Sequence, residues 1–158
     1  MTAPNRAARP RSIHRGDSFK ASVLCGGDAK NEGTSRVAWE IEYTDEFGSW
    51  WNSLSADEQD SINFGVRLLQ ERGPNLKRPF ADTIAGSRYP NMKELRCQHE
   101  GRPYRVLYAF DPRRTAILLI GGDKTGKPNW YEENVPRADA IYARHLKEVG
   151  KETDLPGE

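Results

Sequence analysis

Residues 91–110 read NMKELRCQHEGRPYRVLYAF and residues 115–122 read TAILLIGG. In the first stretch Tyr104, Val106, Tyr108 and Phe110 alternate with Arg105, Leu107 and Ala109, the period of two expected of a strand. The second stretch is apolar on both faces, as a strand in the middle of a sheet is. Asp111-Pro112-Arg113-Arg114 supplies the turn between them. KELR, at 93–96, precedes them as a third strand, and the short links make the three an antiparallel meander.

Alternation also assigns faces. Tyr104, Val106, Tyr108 and Phe110 point to the helix-covered side, so Arg105, Leu107 and Ala109 share the other. Leu95 and Cys97 go inward with Lys93 at the strand's start, which sends Glu94 and Arg96 to the same open face as Arg105. The charges of 91–110 therefore line a shallow concave surface instead of interrupting the core.

Upstream, RVAWEIEYT places Val37, Trp39, Ile41 and Tyr43 on one side of a first strand. Thr44-Asp45-Glu46 then opens a helix with Phe47, Trp51 and Leu54 on one face. Ser55-Ala56-Asp57-Glu58 is a capping box for a second helix with the stripe Ile62, Val66 and Leu69, stopped by Gly73-Pro74. Residues 75–90 read as a loop. A last helix is predicted from about Pro136 to Val149, with Ala138, Ile141, Tyr142, His145 and Leu146 at helical spacing and proline in the first turn. The order is β-α-α-β-β-β-α, a small α+β domain with a helical hairpin on one face of the sheet and a concave open face on the other.

A chain of 158 residues suits one domain. Residues 1–35, rich in Arg, Gly, Ser, Ala and Pro, are expected to form a basic, largely disordered tail. The domain is expected over 36–150, followed by a short tail at 151–158. No run approaches the ~18 consecutive apolar residues of a membrane span. The basic N-terminal segment lacks the apolar region of a secretory signal, and a cytoplasmic protein is expected. Cys25 and Cys97 are too few for a disulfide framework and read as free thiols. With His14, His99 and His145 far apart, neither a metal nor a cofactor is expected.

The net charge of +1 hides a blocky distribution. Residues 92–130 hold 8 basic against 4 acidic side chains, between segments with 5 against 9 (37–91) and 4 against 7 (131–158). Such a block suits a polyanion such as nucleic acid, or a solvated mixed-charge surface. The loop GGDKTGKPNWY (121–131) delivers Lys124, Lys127 and the pair Trp130-Tyr131 to one rim of the open face. Cations beside aromatics suit a phosphate flanked by a stacked base, or else the two rings pack the loop under the last helix. Gly121 to Lys127 also fits part of a nucleotide-binding loop. The match fails at Pro128, where a Ser or Thr must hold magnesium, and no helix is expected to begin there.

The element order, the pair KELR and PYRVLYAF, and the segment LLIGGDKTGKPNWYEENVPRADAIYARHL (118–146) resemble the RelE/ParE superfamily of toxins from type II toxin-antitoxin modules, in its phage-related HigB-like branch. The resemblance covers roughly residues 37–149. It implies a ribosome-dependent endoribonuclease acting on mRNA in the ribosomal A site, without a metal. A cognate HigA-like helix-turn-helix antitoxin is the implied partner, with no membrane involved. Such enzymes let the nucleotide's own 2′-hydroxyl attack the adjacent phosphate, which calls for a base, an acid and cations around the phosphorane.

The positions matching the family's strand arginine and basic loop are Arg105 and Lys124. Arg96 and Arg105 would stabilise the phosphate. Lys124 would supply acid chemistry or bind backbone, and Tyr131 would stack on a base or aid proton transfer. Glu94 is the candidate general base, set against a structural salt bridge with Arg96. Lys93, Arg102, Lys127 and Trp130 would bind RNA. Two departures from the family pattern stand out: Glu94 occupies a position where some relatives carry lysine, and the C-terminal Tyr-His signature of some HigB toxins is absent. The competing readings are a ParE-like inhibitor of DNA gyrase without catalysis and an inactive phage-derived binding protein.

Overall fold

The computed structural model describes the backbone of residues 11–13 and 38–153 and the side chains of residues 38–150. In chain order the elements are strands β1 (Arg11–Ile13) and β2 (Ile41–Tyr43), helices α1 (Asp45–Asn52) and α2 (Ala56–Arg72), and a 3-10 turn at Gly73–Asn75. Strands β3 (Ala81–Thr83), β4 (Lys93–His99), β5 (Arg102–Phe110) and β6 (Ala116–Asp123) follow, then helix α3 (Trp130–Thr153). The strands form one sheet in the order β1-β2-β6-β5-β4-β3. The rest of the expected N-terminal tail, with Cys25, and residues 154–158 lie outside the described residues.

The α+β order and the antiparallel meander β4-β5-β6 match the sequence expectation. Strand β2, at Ile41–Tyr43, is shorter than the alternation from Val37 predicts. It pairs in parallel with β6 over Ile41 to Tyr43, while the Trp39 amide leaves the sheet to donate to the Gln70 carbonyl on α2. The stretch 75–90 is not all loop, because Ala81–Thr83 pairs with β4. That edge strand has no apolar alternation of its own, so only its pairing reveals it.

The hairpin forms as its caps dictate. Thr44 Oγ1 accepts from the Phe47 amide at 3.1 Å, and Ser55 and Glu58 exchange both bonds of the capping box, at 2.7 and 3.1 Å. Each such cap contributes about 1 kcal/mol. Phe47 and Trp51 of α1 and Ile62, Val66 and Leu69 of α2 then bury against Leu95, Tyr104, Val106, Tyr108 and Leu118 in a first core. Gly65 brings α2 close to β4: a β-carbon there would lie 3.0 Å from the Cys97 sulfur. Cys97 is a buried free thiol, pushed up to about 12 by burial despite the nearby Arg105 charge.

The second face of the sheet is largely covered, which narrows the open surface expected from the sequence. Helix α3 starts at Trp130, with Glu132 and Glu133 in its first turn, and Pro136 lies inside it instead of at its start. Its Trp130, Val135, Ala138, Ile141 and Tyr142 pack on Leu107, Ala109, Ile117, Leu119 and Ile120 in a second core. A bulge in β6 makes this possible. Leu107 pairs with Ile120 and Tyr108 with Leu118, so Leu119 is the extra residue and joins Ile120 on the α3 side. Leu107 and Ala109, expected on the open face beside Arg105, are thus fully buried.

Polar ties hold α3 down. The Asp111 carboxylate takes the Arg113 and Thr115 amides at 2.9 and 3.2 Å and meets His145 Nε2 of α3 at 2.8 Å. Burial pushes the Asp111 carboxyl up, but the bonds to His145, Arg113 and Thr115 outweigh it and hold it below its ordinary value. Asp139 accepts from Ser87 Oγ and the Arg88 amide, anchoring the segment before β4. Among the described residues no helix is long and apolar enough to cross a membrane.

Candidate functional site

Because α3 begins at Trp130, its first turn lands over Glu94 of β4, Arg105 of β5 and Gly122 of β6. Arg96 and Arg105 are cross-strand partners in the β4-β5 register, and Glu94 shares their face two residues along β4. Tyr131 arrives from α3 and completes the cluster. Its hydroxyl donates to Glu94 Oε1 at 2.6 Å and accepts from Arg105 Nε at 3.1 Å. Arg105 Nε also lies 3.3 Å from Glu94 Oε1, while Arg96 Nη1 donates to Glu94 Oε2 at 2.8 Å. A second guanidinium nitrogen of Arg105 donates to the Tyr104 carbonyl at 3.0 Å.

Both oxygens of Glu94 are therefore occupied, and its side chain is only 6% exposed. Glu94 and Arg105 do not lie on an open surface, as expected from the alternation, but beneath it. The physical reason is the first turn of α3, which covers the part of that face that strand alternation leaves open. One carboxylate balances two guanidiniums, so the cluster holds a net positive charge. Arg96, with its side chain 30% exposed, is the member that reaches solvent. Burial and the bond to Glu94 raise the Tyr131 pKa above its ordinary value, with Arg105 opposing, which keeps the phenol protonated at neutral pH.

Lys124 joins the cluster, its Nζ 5.4 Å from the centre of the Tyr131 ring. Its loop is held by the Lys124 amide, which donates to the Pro103 carbonyl, and by the Lys127 amide, which donates to the Lys124 carbonyl. Lys127 is exposed at the loop's tip. Five of the nine residues singled out from the sequence, Glu94, Arg96, Arg105, Lys124 and Tyr131, thus form one contiguous group.

Four of the nine do not join it, Lys127 at the exposed tip of the loop among them. Trp130 is 4% exposed in the second core, the packing alternative for that ring. Arg102 shares the hairpin side with Tyr104 and is engaged by Glu58 at 3.4 Å and Asp123 at 3.6 Å, so its charge is matched by carboxylates. Lys93 pairs with Thr83 and Tyr108, and alternation puts it on the opposite face from Glu94 and Arg96. Each of these readings took a basic or aromatic residue near the right strand and had no means of seeing its neighbours.

The glycines of the loop have a packing role. A β-carbon on Gly121 would lie 2.3 Å from Trp50, and one on Gly122 would lie 2.6 Å from Trp130. Consecutive strand positions face opposite sides, so this pair lets a tryptophan sit on each face of β6. A helix does begin two residues beyond Pro128, contrary to the sequence expectation, but the glycines before it accommodate indoles. Among the described residues no three His, Cys, Asp or Glu side chains converge as metal ligands.

The sequence reading also missed a pocket. Strand β3 ends opposite Lys93 to Leu95, and the Phe80 carbonyl accepts from the Arg96 amide. Beyond that point no described strand pairs with the outer edge of β4, and a pocket of about 550 Å³ wraps around it. Phe64, Phe80, Arg78, Arg96, Gln98 and Arg105 line it. One signal was present in the sequence: Phe64 falls off the Ile62, Val66, Leu69 stripe, an aromatic on the polar side of α2.

The family described as phage derived protein Gp49-like matches residues 49–143. A Mycobacterium tuberculosis protein named "Putative toxin HigB2" is 35% identical over 143 residues, covering 89% of this chain and 66% of its own length. The chain thus spans just under two thirds of that relative. A second protein of the same organism, named "Putative toxin HigB3", is 46% identical over 91 residues, covering 57% of this chain and 78% of its own. The match across the hairpin, the meander and most of α3, together with these two relatives, shows that the chain belongs to the phage-derived Gp49-like family, among HigB-like proteins.

Proposed function

We propose that this chain is the toxin of a type II toxin-antitoxin module, a metal-independent endoribonuclease that cuts mRNA in the ribosomal A site. The observation that carries this reading is the pair Arg96 and Arg105, oriented by one carboxylate and adjoining a protonated phenol and a lysine. In the reaction the 2′-oxygen forms a bond to phosphorus as the bond to the 5′-oxygen breaks, leaving a cyclic phosphate. Arg96 and Lys124 meet the phosphate from solvent, and Arg105 adds its charge from beneath. Fixed cations of this kind stabilise the extra charge of the phosphorane. Tyr131 gives its proton to the departing 5′-oxygen, or hydrogen-bonds to it, while Glu94 acts as a positioning residue. Acceptance of the 2′-proton falls to the ribosome or to solvent, which fits a dependence on the ribosome. A HigA-like helix-turn-helix antitoxin restrains the toxin.

The test is Arg105→Ala combined with Lys124→Ala. The double variant should relieve growth arrest and stop mRNA cleavage in translating extracts, while keeping a cooperative thermal transition. Full toxicity of the double variant accompanied by poisoning of gyrase would refute the nuclease reading in favour of a ParE-like one.

A further inference from the structure

We propose that the pocket at the outer edge of β4 holds the nucleobase next to the scissile phosphate, stacked on Phe64. This rests on the endoribonuclease reading and adds a specificity subsite to it. Phe64 is 55% exposed, the one exposed large hydrophobic side chain among the described residues. The core does not need it, because Ile62, Val66 and Leu69 carry the packing of α2. Phe80 meets it edge-on at 6.2 Å and fixes the ring.

The position suits a base as well as the ring does. Arg96 and Arg105 belong both to the pocket and to the Glu94 cluster. A phosphate held there brings an adjoining nucleotide to the mouth of the pocket, with Arg78 on the far side. Aromatic stacking beside guanidiniums is how proteins hold single-stranded RNA. Backbone groups supply the means to read the base. Backbone direction alternates along a strand, so the Gln98 N–H and C=O face outward, as the Arg96 N–H does toward Phe80. Among the described residues they have no backbone partner.

A peptide strand fits this edge less well. Among the described residues only the Arg96 carbonyl and the Gln98 N–H and C=O are open before β4 ends at His99, too short a ladder for strand addition. The charged side chains lining the pocket are three arginines, Arg78 paired with Asp82 and the other two sharing Glu94, a net positive balance that favours a polyanion.

The experiment uses ribosomes programmed with mRNA that carries 4-thiouridine in the A-site codon. A 2′-O-methyl group on each nucleotide of that codon blocks cleavage, so the readout does not depend on chemistry. After irradiation of the full-length chain, crosslinked peptides are identified by mass spectrometry and binding is measured by competition. Crosslinks are expected on the peptides containing Phe64 or Phe80. Phe64→Ala should weaken binding about fivefold or more, Phe64→Tyr should restore it, and cleavage by Phe64→Ala on unmodified mRNA should lose base preference beside the cut.

If the wild type binds, Arg105→Ala does not, and Phe64→Ala binds and cleaves like wild type, the subsite is wrong and the nuclease reading stands. Absence of wild-type binding to programmed ribosomes would remove the nuclease reading itself, and the subsite with it. Loss of antitoxin affinity in Phe64→Ala with RNA binding unchanged would reassign the pocket to the antitoxin.

Discussion

Tyr131 and Glu94, 37 residues apart in sequence, share a hydrogen bond of 2.6 Å between the first turn of α3 and the start of β4. This bond joins the helix that closes the second core to the strand that carries Arg96. The same contact thus supports the fold and, in the proposed reaction, orients the acid.

Replacing Tyr131 with Phe separates those roles. The ring and its contact with Lys124 survive, and both hydroxyl bonds are lost. If the phenol transfers a proton, the cleavage rate in a translating extract should fall by about a hundredfold or more with little change in the thermal transition. A variant that cleaves at the wild-type rate would reduce Tyr131 to a stacking surface.

Glu94→Gln keeps the shape of the side chain and removes the charge that two guanidiniums share. Breaking a buried ion pair by neutralising one partner costs about 3–5 kcal/mol, so chemical denaturation should show a loss of that order. Growth arrest should weaken as well. A simultaneous Arg105→Gln change, which removes the uncompensated cation, should recover part of the stability but none of the cleavage.

Gly121 and Gly122 should tolerate alanine poorly and for the same reason. Overpacking against Trp50 or Trp130 is expected to cost about 1–3 kcal/mol in either case. Gly121→Ala combined with Trp50→Phe should be more stable than Gly121→Ala alone, as a double-mutant cycle by denaturant titration would show. Equal stability of the two would mean the clash is relieved elsewhere.

Asp111 makes the fold sensitive to acid. Its carboxyl titrates below its ordinary value of 3.8 in the folded chain, so the stability it contributes is full above that value and is lost as pH falls through the lower folded value. Asp111→Asn should lower stability at neutral pH by about 3 kcal/mol and flatten the loss below pH ~4. Thermal melts of both proteins across the acid range test this. Parallel curves would place the acid sensitivity in other carboxylates.

The residues of the proposed active cluster were legible in the sequence because β-alternation is local. Glu94, Arg96 and Arg105 share a face by parity alone, and the loop carrying Lys124 follows its strand directly. What alternation cannot supply is the depth of a side chain. Whether Glu94 is a free carboxylate or a buried clamp depends on where α3 begins. The proline at 136 suggested a later start than the one the acidic turn at 132–133 supports. Arg102 and Trp130 failed for a related reason: their partners Glu58, Asp123 and Gly122 are distant in sequence or, in a glycine's case, chemically silent.

By itself the sequence determined the caps and stripes of the hairpin, the meander, and the face on which the charges emerge, since each depends on residues a few positions apart. The tertiary structure alone decided the rest. It added the short strand at 81–83, the Leu119 bulge and the covering of the second face, and it brought Phe64 beside the outer edge of β4. These depend on contacts between elements, where the burial of one surface is set by another that no local pattern specifies.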